Sequence, residues 1–194
     1  MLVPLFVGGE RGEPHVVLTK RRADLRSHAG EISFPGGRRD AEDADLETTA
    51  LREAEEEIGL ARSHVALIVT LPATATFATS YVIHPFVAQI PAGLAWSLSA
   101  REVEAVLELP LARVRAGLEK VPLERRGITF QTDAYVVDGH TIWGATARIL
   151  SHLFARLEPP ADGGRLALAG PGRPEPSPPA GPDAPDAPDA PARP

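Results

Sequence analysis

The run "REAEEE", residues 52–57, puts Arg52, Glu53, Glu56 and Glu57 within two turns of any helix that carries it. Glu53 and Glu57 stand one turn apart, with Glu56 beside them, so three carboxylates project from neighbouring positions on one face. An i,i+4 pair of glutamates destabilises an isolated helix by roughly 0.2–0.5 kcal/mol, and crowding near the negative C-terminal end of the helix dipole adds to that. A hard divalent cation, Mg²⁺ or Mn²⁺, would offset the repulsion, because it prefers carboxylate oxygens and keeps positions open for water and a phosphate. The residues alone leave a second reading open, a solvated acidic face on which Arg52 is the i,i+4 counterion of Glu56.

The surrounding elements must hold these side chains in place. Asp45 is a suitable N-cap, Ala50, Leu51, Ala54 and Ile58 form an apolar stripe, and Gly59 stands where a left-handed residue would end the helix, which predicts a helix over about 45–58. Strands are expected at the N-terminus and at 15–20, 64–70 and 81–90, where β-branched and aromatic residues lie between turn formers, and again across 128–144 with a turn at Asp138-Gly139. Two further helices are expected at 111–117 and 144–157, the second presenting Ala147, Leu150, Ser151, Phe154 and Leu157 to the core. The irregular alternation of strands and helices predicts an α/β fold, a mixed sheet with helices on both faces.

Residues 1–158 are therefore expected to form the folded domain. Residues 159–194 are rich in Pro, Ala and Asp, end in "PDAPDAPDAPARP", and are expected to be a disordered tail, since they have almost nothing apolar to bury against the entropy of ordering. A net charge of -6 argues against nucleic acid as a partner, so phosphate binding must come from local arginines. The absence of cysteine excludes disulfides, thiolate metal sites and a cysteine nucleophile. The opening "MLVPLFVGGERG" has no basic leader and too short an apolar run for a membrane span, so it reads as a first strand of a cytoplasmic protein with no membrane partner.

The stretch "FPGGRRDAEDADLETTALREAEEEIGL", residues 34–60, resembles the signature of the Nudix hydrolases, with Arg52, Glu53, Ala54, Glu56, Glu57, Gly59 and Leu60 each matching. The resemblance implies a Nudix-like α/β/α sandwich with a mixed central sheet and hydrolysis of a nucleoside diphosphate linked to another group. It further implies that Glu53, Glu56 and Glu57 hold Mg²⁺ or Mn²⁺ while Arg52 orients the carboxylates. From Gly37 to Arg52 the spacing is one residue longer than the family pattern. The acid expected between them falls on Ala44, just after Glu42 and Asp43, and is assigned to no residue.

Upstream, "LTKRRADLRSHAGEISFPGG", residues 18–37, resembles the motif of Nudix enzymes that act on coenzyme A, with Leu18, Thr19, Arg21, Arg26, Gly30, Phe34, Pro35, Gly36 and Gly37 in place and Arg22 where a small residue is usual. The resemblance implies a small-molecule substrate of coenzyme A type, cleaved to 3′,5′-ADP and 4′-phosphopantetheine, with Arg21, Arg26, Gly36 and Gly37 at the substrate. The several phosphates of such a substrate suit arginine, which binds phosphate oxygens through two N–H groups at once. His28, a lone histidine, is read as structural. The base that takes the water proton is left open between Glu57 and an acid from a distant loop, Glu102 or Glu104. The rivals are a Nudix pyrophosphatase for ADP-ribose, NADH or a nucleoside triphosphate, a non-catalytic Nudix-like binding module, and a structural or interaction protein that uses its proline-rich tail.

Overall fold

The computed structural model describes residues 1–158 except 11, 26, 27, 77–80 and 126, and leaves the side chains of residues 125 and 128 undescribed. The expected tail, 159–194, and the candidate Arg26 thus lie outside the described residues. Met1–Glu158 forms one compact unit.

Its centre is a six-stranded mixed sheet. β1 (Leu2–Gly8) pairs antiparallel with β2 (Glu13–Arg21), and β2 in turn with the short β3 (Ile32–Ser33). After α1 (Leu46–Ile58) and a single 3₁₀ turn at Arg62–His64 comes β4 (Ala66–Thr70), an edge strand. A small hairpin of β5 (Thr74–Ala75) and β6 (Val82–Ile83) then leads to β7 (Phe86–Gln89), which lies between β4 and β1 and pairs parallel with β1, Leu2 opposite Phe86. β8 (Val103–Pro110) pairs antiparallel with β2 and runs directly into α2 (Leu111–Ala116). The described residues finish with a three-stranded antiparallel sheet of β9 (Leu118–Arg125), β10 (Ile128–Val137) and β11 (His140–Ile142), followed by α3 (Gly144–Leu157).

Side-chain alternation along the central strands sorts the core into two layers. Leu2, Phe6, Val17 and Ala88 cluster with Ala50, Ala54 and Ile58 of α1. Val3, Val16, Leu18 and Val87 cluster with Val114 of α2, with Tyr135, Val137 and Ile142 of the second sheet, and with Ile149, Leu150 and Leu153 of α3. The expected mixed sheet with helices on both faces is what forms, and a second sheet shares one of the layers.

The differences from expectation have local causes. β8 ("VEAVLELP") and β9 ("LEKVPLER") are absent from the sequence-based expectation because their Glu, Leu, Ala and Lys favour helix; pairing with β2 and β10 overrides that preference. The strand expected over 81–90 is interrupted after Ile83, where Pro85 has no N–H to give a ladder. On α3 the core face is Thr146, Ala147, Ile149, Leu150, Leu153 and Phe154. Leu157 is exposed, and Ser151, also exposed, spends its hydroxyl on Ala147 O and Tyr135 Oη. No helix among the described residues is long and apolar enough to cross a membrane.

Candidate functional site

α1 is fixed at both ends. Asp45 Oδ1 accepts the Thr48 N–H at 2.7 Å, and Gly59, at φ 71°, donates to Glu55 O at 2.9 Å. The last carbonyls are taken by the segment leading into β8: Ser97 N donates to Ile58 O at 3.1 Å and Ser99 N to Glu57 O at 2.9 Å. With Ala50, Ala54 and Ile58 turned into the sheet, the rotation of the helix about its axis is set. Glu57 then points inward and is only 6% exposed, while Glu56 stays in solvent.

Arg52 is the hub of the upper part of the helix. Its Nε and Nη2 grip the two oxygens of Asp43, each at 3.0 Å; Nη2 also donates to Arg38 O at 3.1 Å and pairs with Glu53 at 3.1 Å, and Nη1 reaches Glu56 at 3.1 Å. Asp43 is buried and accepts in addition from Asp40 N at 3.0 Å and Thr49 Oγ1 at 2.9 Å. These donors, Arg52 first among them, hold its carboxyl well below the usual range and in turn raise the Arg52 guanidinium. Arg39 ties down the same loop through Asp43 O and Ala44 O, both at 2.9 Å.

Asp43 is a residue that the sequence reading missed. Counting back from Arg52 points to Ala44, whereas counting forward from Gly37 by the family interval points to Asp43. The extra residue therefore falls between Asp43 and Arg52.

Glu53 and Glu57 present a different environment. Gly36 N donates to Glu57 Oε2 at 3.1 Å, yet burial pushes the Glu57 carboxyl up to about 7, helped by the charges of Glu53 and Glu102. Burial also raises Glu53; Arg52 opposes this, and the charges of Glu56 and Glu102 add to it. Gly37 lies so close that a Cβ built on it would overlap the Glu53 carboxylate, which is a physical reason for glycine at that position. Glu102 reaches this group because the Ser97–Ser99 segment that caps α1 delivers the start of β8 beside it. Arg21, at the end of β2, pairs with Glu102 at 3.4 Å.

The structure thus brings together Glu53, Glu57, Gly36 and Gly37, with Arg21 held through Glu102. Glu53, Glu56 and Glu57 stand at i, i+3 and i+4 on one face of α1, and they differ in burial. Glu56 turns to Arg52 and solvent, and among the described residues no three acidic or histidine side chains close into a ligand cage. The donor chemistry nevertheless fits a hard divalent ion, since Glu53 and Glu57 are hard oxygen donors, largely desolvated and mutually repelling.

Of the other arginines, Arg22 is committed to Asp24 and Ala100 O, and Arg38 lies 4.6 Å from the centre of the Tyr81 ring. His28 pairs with Glu31 at 2.7 Å, in keeping with a structural role. Glu104 is on β8 rather than in a loop, and its carboxylate is held by Lys20 at 2.7 Å.

A NUDIX domain model matches residues 2–124 of the chain. The chain is 38% identical over 159 residues to the uncharacterized Nudix hydrolase NudL of Salmonella paratyphi B, covering 81% of each protein. Among solved structures, the fold is similar to the Nudix hydrolase RenU of M. smegmatis, with TM-score 0.53, 18% identity and coverage of 81% of this chain and 84% of that one. It is likewise similar to the NUDIX domain of Shewanella oneidensis NrtR, a structure that holds ADP ribose, with TM-score 0.52, 16% identity and coverage of 81% and 85%.

Proposed function

The chain belongs to the Nudix hydrolase family, enzymes of pyrophosphate bonds, and from that premise we propose that its substrate is coenzyme A, cleaved at the diphosphate to 3′,5′-ADP and 4′-phosphopantetheine. The observation that carries this reading is the physical continuity from the coenzyme A-type motif to the acidic helix. Thr19 Oγ1 donates to Ser33 O at 3.2 Å, Phe34 is fully buried, and two residues on Gly36 hands its N–H to Glu57. The motif thus builds the wall of the acidic site, and Arg21 at its start faces the same carboxylates across Glu102.

In the proposed mechanism Glu53, Glu56 and Glu57 would hold Mg²⁺ or Mn²⁺. When bound, such an ion neutralises diphosphate oxygens and acidifies water. Arg52, anchored by Asp43, sets the directions of Glu53 and Glu56 so that neither swings freely. Arg21, Arg26, Gly36 and Gly37 take the substrate phosphates, the glycines by admitting the diphosphate close to backbone. Water attacks phosphorus, the phosphoanhydride P–O bond breaks, and the leaving phosphate keeps the electron pair. A carboxylate takes the water proton: Glu57 or Glu102 serves better than Glu104, whose carboxylate is already held by Lys20. A cysteine-free chain of this kind suits a reducing, cytoplasmic setting.

The test is a panel of coenzyme A, ADP-ribose, NADH and nucleoside triphosphates with Mg²⁺ or Mn²⁺, products identified by mass. Cleavage of coenzyme A with the highest kcat/KM is expected. Preference for another member of the panel would overturn the coenzyme A assignment and leave the family activity standing.

A further inference from the structure

A cleft of about 530 Å³ opens between the β2–β3 edge of the central sheet and the β9–β11 sheet. Lys20, Gly30 and Ile32 line it on one side and Leu123, Thr141 and Trp143 on the other. It is close to the acidic helix. Ile32, the register partner of Lys20, precedes Gly36 by four residues, which span at most roughly 14 Å. An extended small-molecule chain could therefore have one end at the Glu53–Glu57 carboxylates and the other in the cleft.

The lining selects which half of a substrate fits. Lys20 is matched by Glu104 at 2.7 Å and Glu31 by His28 at 2.7 Å, and Glu124 adds a further acid at the rim. Among the described residues that line it, no uncommitted lysine or arginine faces in, so a nucleoside carrying phosphates would be poorly neutralised by them. Ile32, Leu123 and Trp143 supply apolar wall, the Trp143 ring lying 6.3 Å from that of Phe130, while the Thr141 hydroxyl and the His140 imidazole offer hydrogen bonds.

We propose that this cleft receives the uncharged, amide-bearing pantetheine arm of the substrate and that Trp143 is a specificity-determining residue. The inference rests on the coenzyme A reading above.

The test combines kinetics with a binding measurement that does not need turnover. In the full chain, Trp143→Ala should raise KM for coenzyme A about tenfold while the inhibition constant of 3′,5′-ADP, which has no arm, moves less than twofold. Thr141→Arg puts a long charged side chain into the cleft without removing a core contact and should do the same, so the test survives if Trp143→Ala unfolds. Equal movement of the two constants, or no change in KM, overturns the proposal. In a Trp96→Phe background Trp143 is the one remaining indole, and its fluorescence should respond saturably to pantetheine. If coenzyme A proves not to be a substrate, this titration decides alone: saturable binding keeps the cleft assignment after the function has failed, and no response overturns both.

Discussion

Two groups around α1, one anchored by an acid of the loop before the helix and one carried by the helix itself, are treated in opposite ways. Asp43 and Arg52 satisfy each other: every carboxylate oxygen has strong donors, and the acid stays ionised far below its usual range. Glu57 is buried and Glu53 half-buried, both have few donors and other acids close by, and both are raised. The first group is built to be rigid without a ligand. The second keeps an unbalanced demand for positive charge, which is what a site for a cation and a phosphate requires. The fold supports the poorly compensated pair with the well compensated one, because Arg52 links them through Glu53.

The largest effect is expected from Glu57→Gln, which removes the charge but keeps an acceptor for Gly36 N. Turnover should fall about 100- to 10,000-fold in steady-state assays. The sign of its effect on stability follows from the raised carboxyl. In the metal-free wild type, the contribution of Glu57 to folding is complete below about 4.5 and is lost as pH rises through about 7, a change of about 3 kcal/mol. Unfolding curves of the variant should show a weaker decline across that window and a midpoint at pH 8 no lower than wild type. Normal turnover, or a midpoint well below wild type at pH 8, would erase the contrast between the two groups.

Next in size is Asp43→Asn. Asp43 has a depressed carboxyl, so its contribution is present above its ordinary value of 3.8 and is lost on acidification, opposite to Glu57. At pH 7 the variant should melt several degrees lower and turn over about tenfold more slowly, since Arg52 loses its anchor. Thermal unfolding and kcat measured on one preparation check both. An unchanged melting point would show that Arg52 is held well enough by its other partners.

The smallest effect sharpens the boundary between the groups. Gly37→Ala forces aside only the end of a flexible side chain, the Glu53 carboxylate, so turnover should drop about fivefold while the melting point stays within about 1 °C. A large loss of stability would mean that the loop backbone, and not Glu53, gives way.

Much of this was legible in the sequence because it depends on short intervals. The cap at Asp45, the apolar stripe and the stop at Gly59 specify α1 locally, and the spacing of Arg52, Glu53, Glu56 and Glu57 is a property of any helix. The turn at Asp138-Gly139 was readable for the same reason, both residues taking positive φ. The paired strands β8 and β9 were not readable. Their residues prefer helix in isolation, and only partners far along the chain make them extended.

What the sequence by itself determined is the helix, the acids it carries and the glycine turn that meets them, since these rest on backbone preferences within a few residues. Tertiary structure alone decided the surroundings of each acid. It turned Glu57 inward and Glu56 outward, set Asp43 rather than Ala44 under Arg52, and carried Glu102 from the start of β8 to the helix end. The reason is physical: burial and charge neighbours fix the state of a carboxylate, and both are set by chain segments that meet only when the sheet has formed.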